Sequence, residues 1–207
     1  MKIVGVNGFG RIGRYFVRMA LMQNDIQVAL VNDLADIKTL AHLFKYDSIH
    51  GRNPLKFEIE GNALVFENGK KVYFHQEQNP ELIPWGKYGV DIVVESTGLF
   101  TKKAQAEKHL AGGAKKVIIS APPSDAEIKT VVMGVNTNIL DGTEQVISNA
   151  SCTTNNAAPM VKVLKSLMDI DVAYISTVHS YTSDQRLHDA PHKDLRRARA
   201  AARPHHH

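Results

Sequence analysis

The chain has 207 residues, of which 43% are hydrophobic and 22% charged, with a formal net charge of +4 at pH 7. That length fits one large domain, or one domain and part of another, in an ordinary soluble globular protein. The sequence lacks an apolar stretch long enough for a bilayer, opens on a strand pattern rather than a signal segment, and has a single Cys, which excludes an internal disulfide; a cytoplasmic location is expected.

In chain order, Lys2-Ile3-Val4-Gly5-Val6 reads as a short buried strand. Arg11 to Met22 follows as a helix, with Ile12, Phe16, Val17, Ala20 and Leu21 at helical spacing. Ile26 to Val31 is a second strand and Asp36 to Phe44 a second helix, which together make a βαβ unit with a buried parallel pair. The rhythm then breaks. Phe57-Glu58-Ile59, Leu64-Val65-Phe66 and Lys71 to Phe74 are short strands, and Gly61-Asn62 and Asn68-Gly69 supply tight turns for an antiparallel hairpin insertion. Parallel-type strands are predicted to resume at 91–95, 116–120 and 130–133, with a helix over 101–110. Gln145-Val146-Ile147-Ser148 is strand-like and Ala157 to Met168 helical. Asp171 to His179 reads as a longer strand, so a second domain is expected to begin near residue 150.

Gly8-Phe9-Gly10-Arg11-Ile12-Gly13 matches G-x-G-x-x-G, with a strand before it, a helix after it, and the acidic Asp33 twenty positions past Gly13 at the end of the next strand. In that context Gly8 allows a tight turn, Gly10 lets the backbone approach a pyrophosphate, and Gly13 permits close helix–strand packing; the helix start holds the phosphate charge. Asp33 suits the ribose hydroxyls and repels a 2′-phosphate, so NAD is the expected cofactor. The fold class is therefore α/β, a Rossmann-type doubly wound parallel sheet followed by the start of a second domain.

The lone Cys152 lies where the strand-like run gives way to the helix-like one. Partial positive charge at a helix start favours the thiolate, the nucleophilic form, and polar Ser151, Thr153, Thr154, Asn155 and Asn156 make a poor pocket for an inert thiol. Such a nucleophile needs a base, and His179, at the end of the predicted long strand, is the best candidate. His188 and His192 lack a carboxylate or thiol to complete a ligand set, so no metal is expected.

Asn7 to Arg14, Asn32-Asp33, Glu95-Ser96-Thr97-Gly98-Leu99-Phe100, Ser120-Ala121-Pro122, Ser148 to Asn155 and His179-Ser180-Tyr181-Thr182 together resemble the phosphorylating glyceraldehyde-3-phosphate dehydrogenase family. The resemblance implies an NAD-binding Rossmann domain over 1–150 and the incomplete start of an α+β catalytic domain over 151–202. It makes Cys152 the nucleophile and His179 its base. Arg11, Ile12, Asp33, Leu34 and Ser120 would line the dinucleotide, with Ser96, Thr97 and Gly98 nearby. Ser151, Thr153 and Thr182 would hold substrate or inorganic phosphate, and Arg197 would contribute to an anion site. It further implies glyceraldehyde 3-phosphate and phosphate as substrates, a thioester on the Cys, and a homotetramer.

Three departures bear on these expectations. The family's chain is longer, which implies a C-terminal truncation, a partly disordered or misassembled catalytic portion and little turnover. Residues 203–207, ending in three His, read as a tag or aberrant tail. Ala190-Pro191 puts a small residue where NAD-specific relatives carry Leu, which leaves NADP tolerance open. A non-catalytic NAD-binding fragment and an erythrose-4-phosphate dehydrogenase are the alternatives. A nucleic-acid patch at Lys193 to Arg203 is set aside because no aromatics interleave the cations.

Overall fold

The first apolar run forms strand β1 (Lys2–Asn7), and the segment after the glycines forms helix α1 (Arg11–Ala20). The chain divides into two compact units, Met1–Asp169 and Ile170–His207. The computed structural model describes residues 1–202; the expected tail at 203–207 lies outside the described residues.

In the first unit, β2 (Ile26–Asn32) leads to α2 (Ile37–Lys45), whose start is fixed by Asp36: its side chain accepts from Lys38 and Thr39 N–H. Such a cap contributes about 1 kcal/mol. A minimal ladder, β3 (Tyr46–Asp47) with β4 (Gly51–Arg52), precedes β5 (Phe57–Glu60), β6 (Ala63–Phe66) and β7 (Lys71–His75). Gly61 and Gly69 take positive φ of 60° and 79° in the turns flanking β6, as those turns require. Then come β8 (Ile92–Glu95), the short helices α3 (Lys103–Ala106) and α4 (Lys108–Ala111), β9 (Lys116–Ile119), β10 (Val146–Ser148) and α5 (Cys152–Leu167).

Eight strands make one sheet in the order β10-β9-β8-β1-β2-β7-β6-β5. Pairing is parallel from β10 to β7 and antiparallel from β7 to β5, so the hairpin insertion extends the main sheet rather than standing apart from it. The chain leaves β1 toward β2 on one side and resumes with β8 on the other. That reversal is the switch point at which open α/β sheets take ligands, beyond the strands' carboxyl ends. The expected doubly wound α/β architecture is thus observed.

The core fills both faces. Val4, Val6, Val17, Val28, Val31, Leu40, Phe44 and Phe74 form one buried cluster, and Leu30, Ile83, Trp85, Val90 and Val93 another. Trp85 lies over Gly5, where a Cβ would come within 2.4 Å of the indole ring.

Three expected elements differ. The strand at 130–133 is reduced to a single bridge, Thr130 to Ser148, because the Asn136 amide accepts from Val132 N–H and donates to Thr130 C=O, satisfying groups that would extend a ladder. The helix at 101–110 breaks at Glu107, where Leu110 N–H bonds the Glu107 carbonyl three residues back. The strand expected at 171–179 is not formed: these residues carry no strand assignment and are exposed throughout. Its β-branched and aromatic residues favour a pleated surface, but such a preference needs a paired neighbour to express it.

The described part of the second unit holds neither helix nor strand. Backbone bonds between its loop segments tie it together: Arg186 N–H to Arg197 C=O, Ala190 N–H to Ala198 C=O, and Ala201 N–H to Arg186 C=O. Among the described residues no helix is long and apolar enough to cross a membrane.

Candidate active site

The glycine turn is built as a close contact between three segments. Gly8 adopts φ 91°, and a Cβ there would sit 2.8 Å from Thr97 N; at Gly13 a Cβ would meet the Gly8 carbonyl oxygen at 2.1 Å. Gly10 has open space where its Cβ would be, and it caps α1 without a side-chain hydrogen bond. The first-turn N–H groups of α1 are therefore left for an anion.

Between the glycines, Phe9 is only 1% exposed and packs on Phe44 and Phe74, with ring centroids 5.5 and 5.2 Å away. Burying that ring stabilises the turn by roughly 1.5–3 kcal/mol. Its backbone is held from both sides: Phe9 N–H donates to Asp33 Oδ2 at 2.7 Å, and Arg14 Nη1 donates to Phe9 C=O at 2.9 Å. Burial pushes the Arg14 guanidinium below its ordinary value. Asp33 also accepts from Ala35 N–H at 3.0 Å through its other oxygen, so it pins the turn to the end of β2; Arg14 was a partner the motif did not announce.

A staircase of backbone bonds aligns the strand ends. Gly8 N–H bonds Asn32 C=O, Ser96 bonds Asn7, Ser120 bonds Glu95, and Asn149 bonds Ile119, at 2.8, 2.8, 2.9 and 2.9 Å. Gly8, Ser96, Ser120 and Asn149 consequently share one edge of the sheet, with Asp33 directly after Asn32. Ser96 Oγ closes on Gly8 C=O at 2.7 Å, and Gly98 turns the following loop with φ 74°. Arg11, ion-paired with Asp47 at 3.7 Å, and Ile12 are exposed at the start of α1, and Leu34 is exposed after Asp33.

Beyond β10 the chain makes a turn that the sequence did not reveal. Ala150 is buried in the left-handed region at φ 61°, which is uncommon for a residue with a Cβ. Its N–H bonds Ser148 Oγ at 3.0 Å, and that hydroxyl donates to Ala121 C=O at 2.7 Å. Ser151 then caps α5 by accepting from Thr154 N–H at 3.0 Å, and Cys152 opens the helix, exposed. Strain held at one residue by its neighbours is a common way to fix a reactive side chain on a sharp turn. Thr153 follows it, half-buried.

The remaining predicted residues belong to the second unit. The His179 ring pairs its Nδ1 with the Ser180 carbonyl at 2.6 Å. Thr182 donates through N–H and Oγ1 to Gln185 Oε1 at 2.6 and 2.9 Å. Arg197 is ion-paired with Asp184 and Asp194. A cavity of about 840 Å³ lies instead between Lys45, Arg52–Glu58 and the β6 strand, and none of the crevice residues lines it.

Two family models match the chain: the NAD binding domain of glyceraldehyde 3-phosphate dehydrogenase over residues 2–103, and its C-terminal domain over residues 151–204. The glyceraldehyde-3-phosphate dehydrogenase of Geobacillus stearothermophilus is 59% identical over 200 residues, covering 96% of this chain and 59% of that protein. The chain belongs to the glyceraldehyde-3-phosphate dehydrogenase family. Similar matches come from the enzymes so named in Streptomyces coelicolor, 58% identical over 96% of this chain and 59% of that protein, and Clostridium pasteurianum, 52% identical over 98% and 60%. The chain thus spans about 59% of the length of the glyceraldehyde-3-phosphate dehydrogenases it first matches. The crevice built on β1, β2 and β8 falls in the part matched as the family's NAD binding domain, a match that indicates NAD as the cofactor of the chain.

Proposed function

We propose that this chain is an NAD-dependent phosphorylating aldehyde dehydrogenase of the glyceraldehyde-3-phosphate type, with Cys152 as nucleophile and His179 as base. The observation that carries this reading is the shared sheet edge. It lines up the glycine turn, Asp33, the 96–98 loop and Ser120, and three residues past Asn149 it delivers an exposed Cys at a helix start. The open face of Gly10 and the start of α1 fit a pyrophosphate. Gly8, Gly10, Arg11, Ile12, Gly13, Asp33, Leu34, Ser96, Thr97, Gly98 and Ser120 would hold NAD, with a cofactor domain over 1–150 and a catalytic portion from 151. Asp33 disfavours a 2′-phosphate, while the small Ala190 leaves NADP tolerated.

In this mechanism the Cys152 thiolate attacks the aldehyde carbon and a C–S bond forms. His179 takes the proton from the resulting hemithioacetal hydroxyl. When bound, NAD supplies the hydride acceptor that leaves a thioester on the same sulfur. Inorganic phosphate, steadied with the substrate by Ser151, Thr153, Thr182 and Arg197, then attacks the acyl carbon. The C–S bond breaks, an acyl phosphate departs and the thiolate is restored. We assign glyceraldehyde 3-phosphate and phosphate as substrates, with a cytoplasmic homotetramer as the working form.

The test is acyl phosphate formation from glyceraldehyde 3-phosphate, phosphate and NAD by the native chain and by C152S. The reading requires turnover that falls on the order of a thousandfold or more in C152S. A C152S variant as active as the native chain overturns it. One observation favours a second reading, an NAD-binding module without turnover: the segment carrying His179 forms no strand. NAD binding with no acyl phosphate formed would decide for that module.

A further inference from the structure

The turn that delivers Cys152 is held by two side chains to which the proposed mechanism gives no part, Ser148 before it and Asn155 after it. Ser148 is the last residue of β10 and is fully buried. Its backbone is anchored in place: the N–H donates to Lys129 C=O at 3.0 Å, and the C=O accepts from Val131 N–H at 2.8 Å. Its hydroxyl accepts from Ala150 N–H at 3.0 Å and donates at 2.7 Å to the carbonyl of Ala121, the residue after Ser120. Asn155 is the fourth residue of α5. It reaches back, and its Nδ2 donates to Asn149 C=O at 2.6 Å and to Ser151 C=O at 3.0 Å. Both partners are carbonyls, so the way the amide faces follows from its surroundings.

These bonds converge on one peptide unit. Asn149 C=O and Ala150 N–H belong to the same planar group, and Asn155 takes one end of it while Ser148 takes the other. On the far side of Asn149, its own N–H is bonded to Ile119 C=O at 2.9 Å. Fixing the 149–150 plane sets the φ of Ala150, which stands at 61°. A left-handed Ala costs free energy that a Gly would not, and the conformation persists only where its surroundings over-determine it. Here they do so from β10 on one side and from α5 on the other.

The consequence reaches the sulfur. Ala150 lies two residues before Cys152, and the second carbonyl that Asn155 holds, that of Ser151, also accepts Asn155 N–H at 2.9 Å as α5 begins. If Ala150 relaxed out of the left-handed region, the chain would enter α5 in another direction. Cys152 would then lose its place at the first helical position, where a thiolate meets the positive end of the helix.

We propose that Ser148 and Asn155 are positioning residues for Cys152: by clamping the 149–150 peptide they hold Ala150 left-handed and so keep the sulfur at the start of α5. The inference rests on the reading of Cys152 as the nucleophile. Both residues act through the backbone.

The sequence holds one Cys, so alkylation by iodoacetamide reads this sulfur alone. The test is its rate constant at neutral pH in the full chain, with glutathione as the unactivated thiol. The native chain is expected to react about tenfold faster than glutathione, or more. S148A and N155A are each expected to slow it about fivefold, the worth of one net hydrogen bond. Ala is a better helix former than Asn, so slowing in N155A does not report a lost helix. The decisive comparison repeats both variants in an A150G background. Gly takes this φ without the Cβ penalty, so A150G alone should keep the native rate, and adding S148A or N155A should slow it less than about twofold. A merely structural loss, of packing or of helix, would persist in both backgrounds. Where S148A yields too little folded protein, the N155A pair carries the comparison. Native-like or faster alkylation in S148A and N155A, or equal slowing in the native and A150G backgrounds, overturns the positioning role. A native chain no faster than glutathione overturns the reading of Cys152 as an activated nucleophile, and the positioning role with it.

Discussion

Residues 1–169 and the described residues from 170 on obey the same chemistry with opposite outcomes. In the first, Val, Ile and Phe runs meet neighbouring strands and helices, and their side chains disappear into clusters on both sheet faces. In the second, Val172, Tyr174, Ile175 and Val178 are comparably apolar, yet all are exposed and none sits in a ladder. The contrast teaches that β propensity is a statement about available partners, whereas the glycine turn and its helix carry their instructions locally.

The largest expected effect that tests this contrast is in amide exchange. Protection in β1, β2 and β8 should exceed that at 171–180 by roughly a thousandfold or more, because the former exchange only through wide opening. Comparable protection in the two regions would break the comparison. Next comes Gly13→Ala. Its Cβ would press on the Gly8 carbonyl at 2.1 Å, so the variant should lose about tenfold or more in NAD affinity while exchange at 171–180 stays unchanged. Native-like NAD affinity would mean that the turn has slack which the packing denies.

The smallest effect is in acid. Beside the Thr130–Ser148 bridge, the Thr143 hydroxyl and N–H, with Lys129, hold Asp141 down to about 2, and the Lys129 ammonium, with backbone N–H groups, holds Glu144 down to about 2. Both carboxyls lie below their ordinary values in the folded chain. Their stabilisation is therefore present above the ordinary carboxylate range and is lost as pH falls toward 2. An NMR titration should show both carboxyl carbons moving near pH 2, and K129M should return Glu144 toward its ordinary value. Midpoints in the ordinary range in the native chain would show that Lys129 and Thr143 do not hold these carboxyls down.

Legibility followed the same division. The turn from Gly8 to Gly13 and the hairpins at Gly61 and Gly69 were readable because each is specified within a few residues. The strand at 130–133 was misread because Asn136, several residues on, takes its hydrogen bonds. Ala150 gave no signal, since left-handed backbone is ordinarily announced by Gly or Asn. Arg14 and the row that side-chain hydrogen bonds make of Asn32, Asn7, Glu95 and His109 were hidden for another reason. Their residues are visible one by one, but the bonds between them span 5 to 88 positions and exist only once the strands are side by side.

Gly5 and Trp85 illustrate how such long-range ties restrict change over time. The indole occupies the space that any side chain at position 5 would claim, and the same indole donates to His109 Nδ1 at one end of that polar row. A lineage that enlarges residue 5 must shrink residue 85, and in doing so gives up the donor that keeps His109 in its tautomer. The two sites are thus tied together in evolution, and a library randomising both should return them as a matched pair.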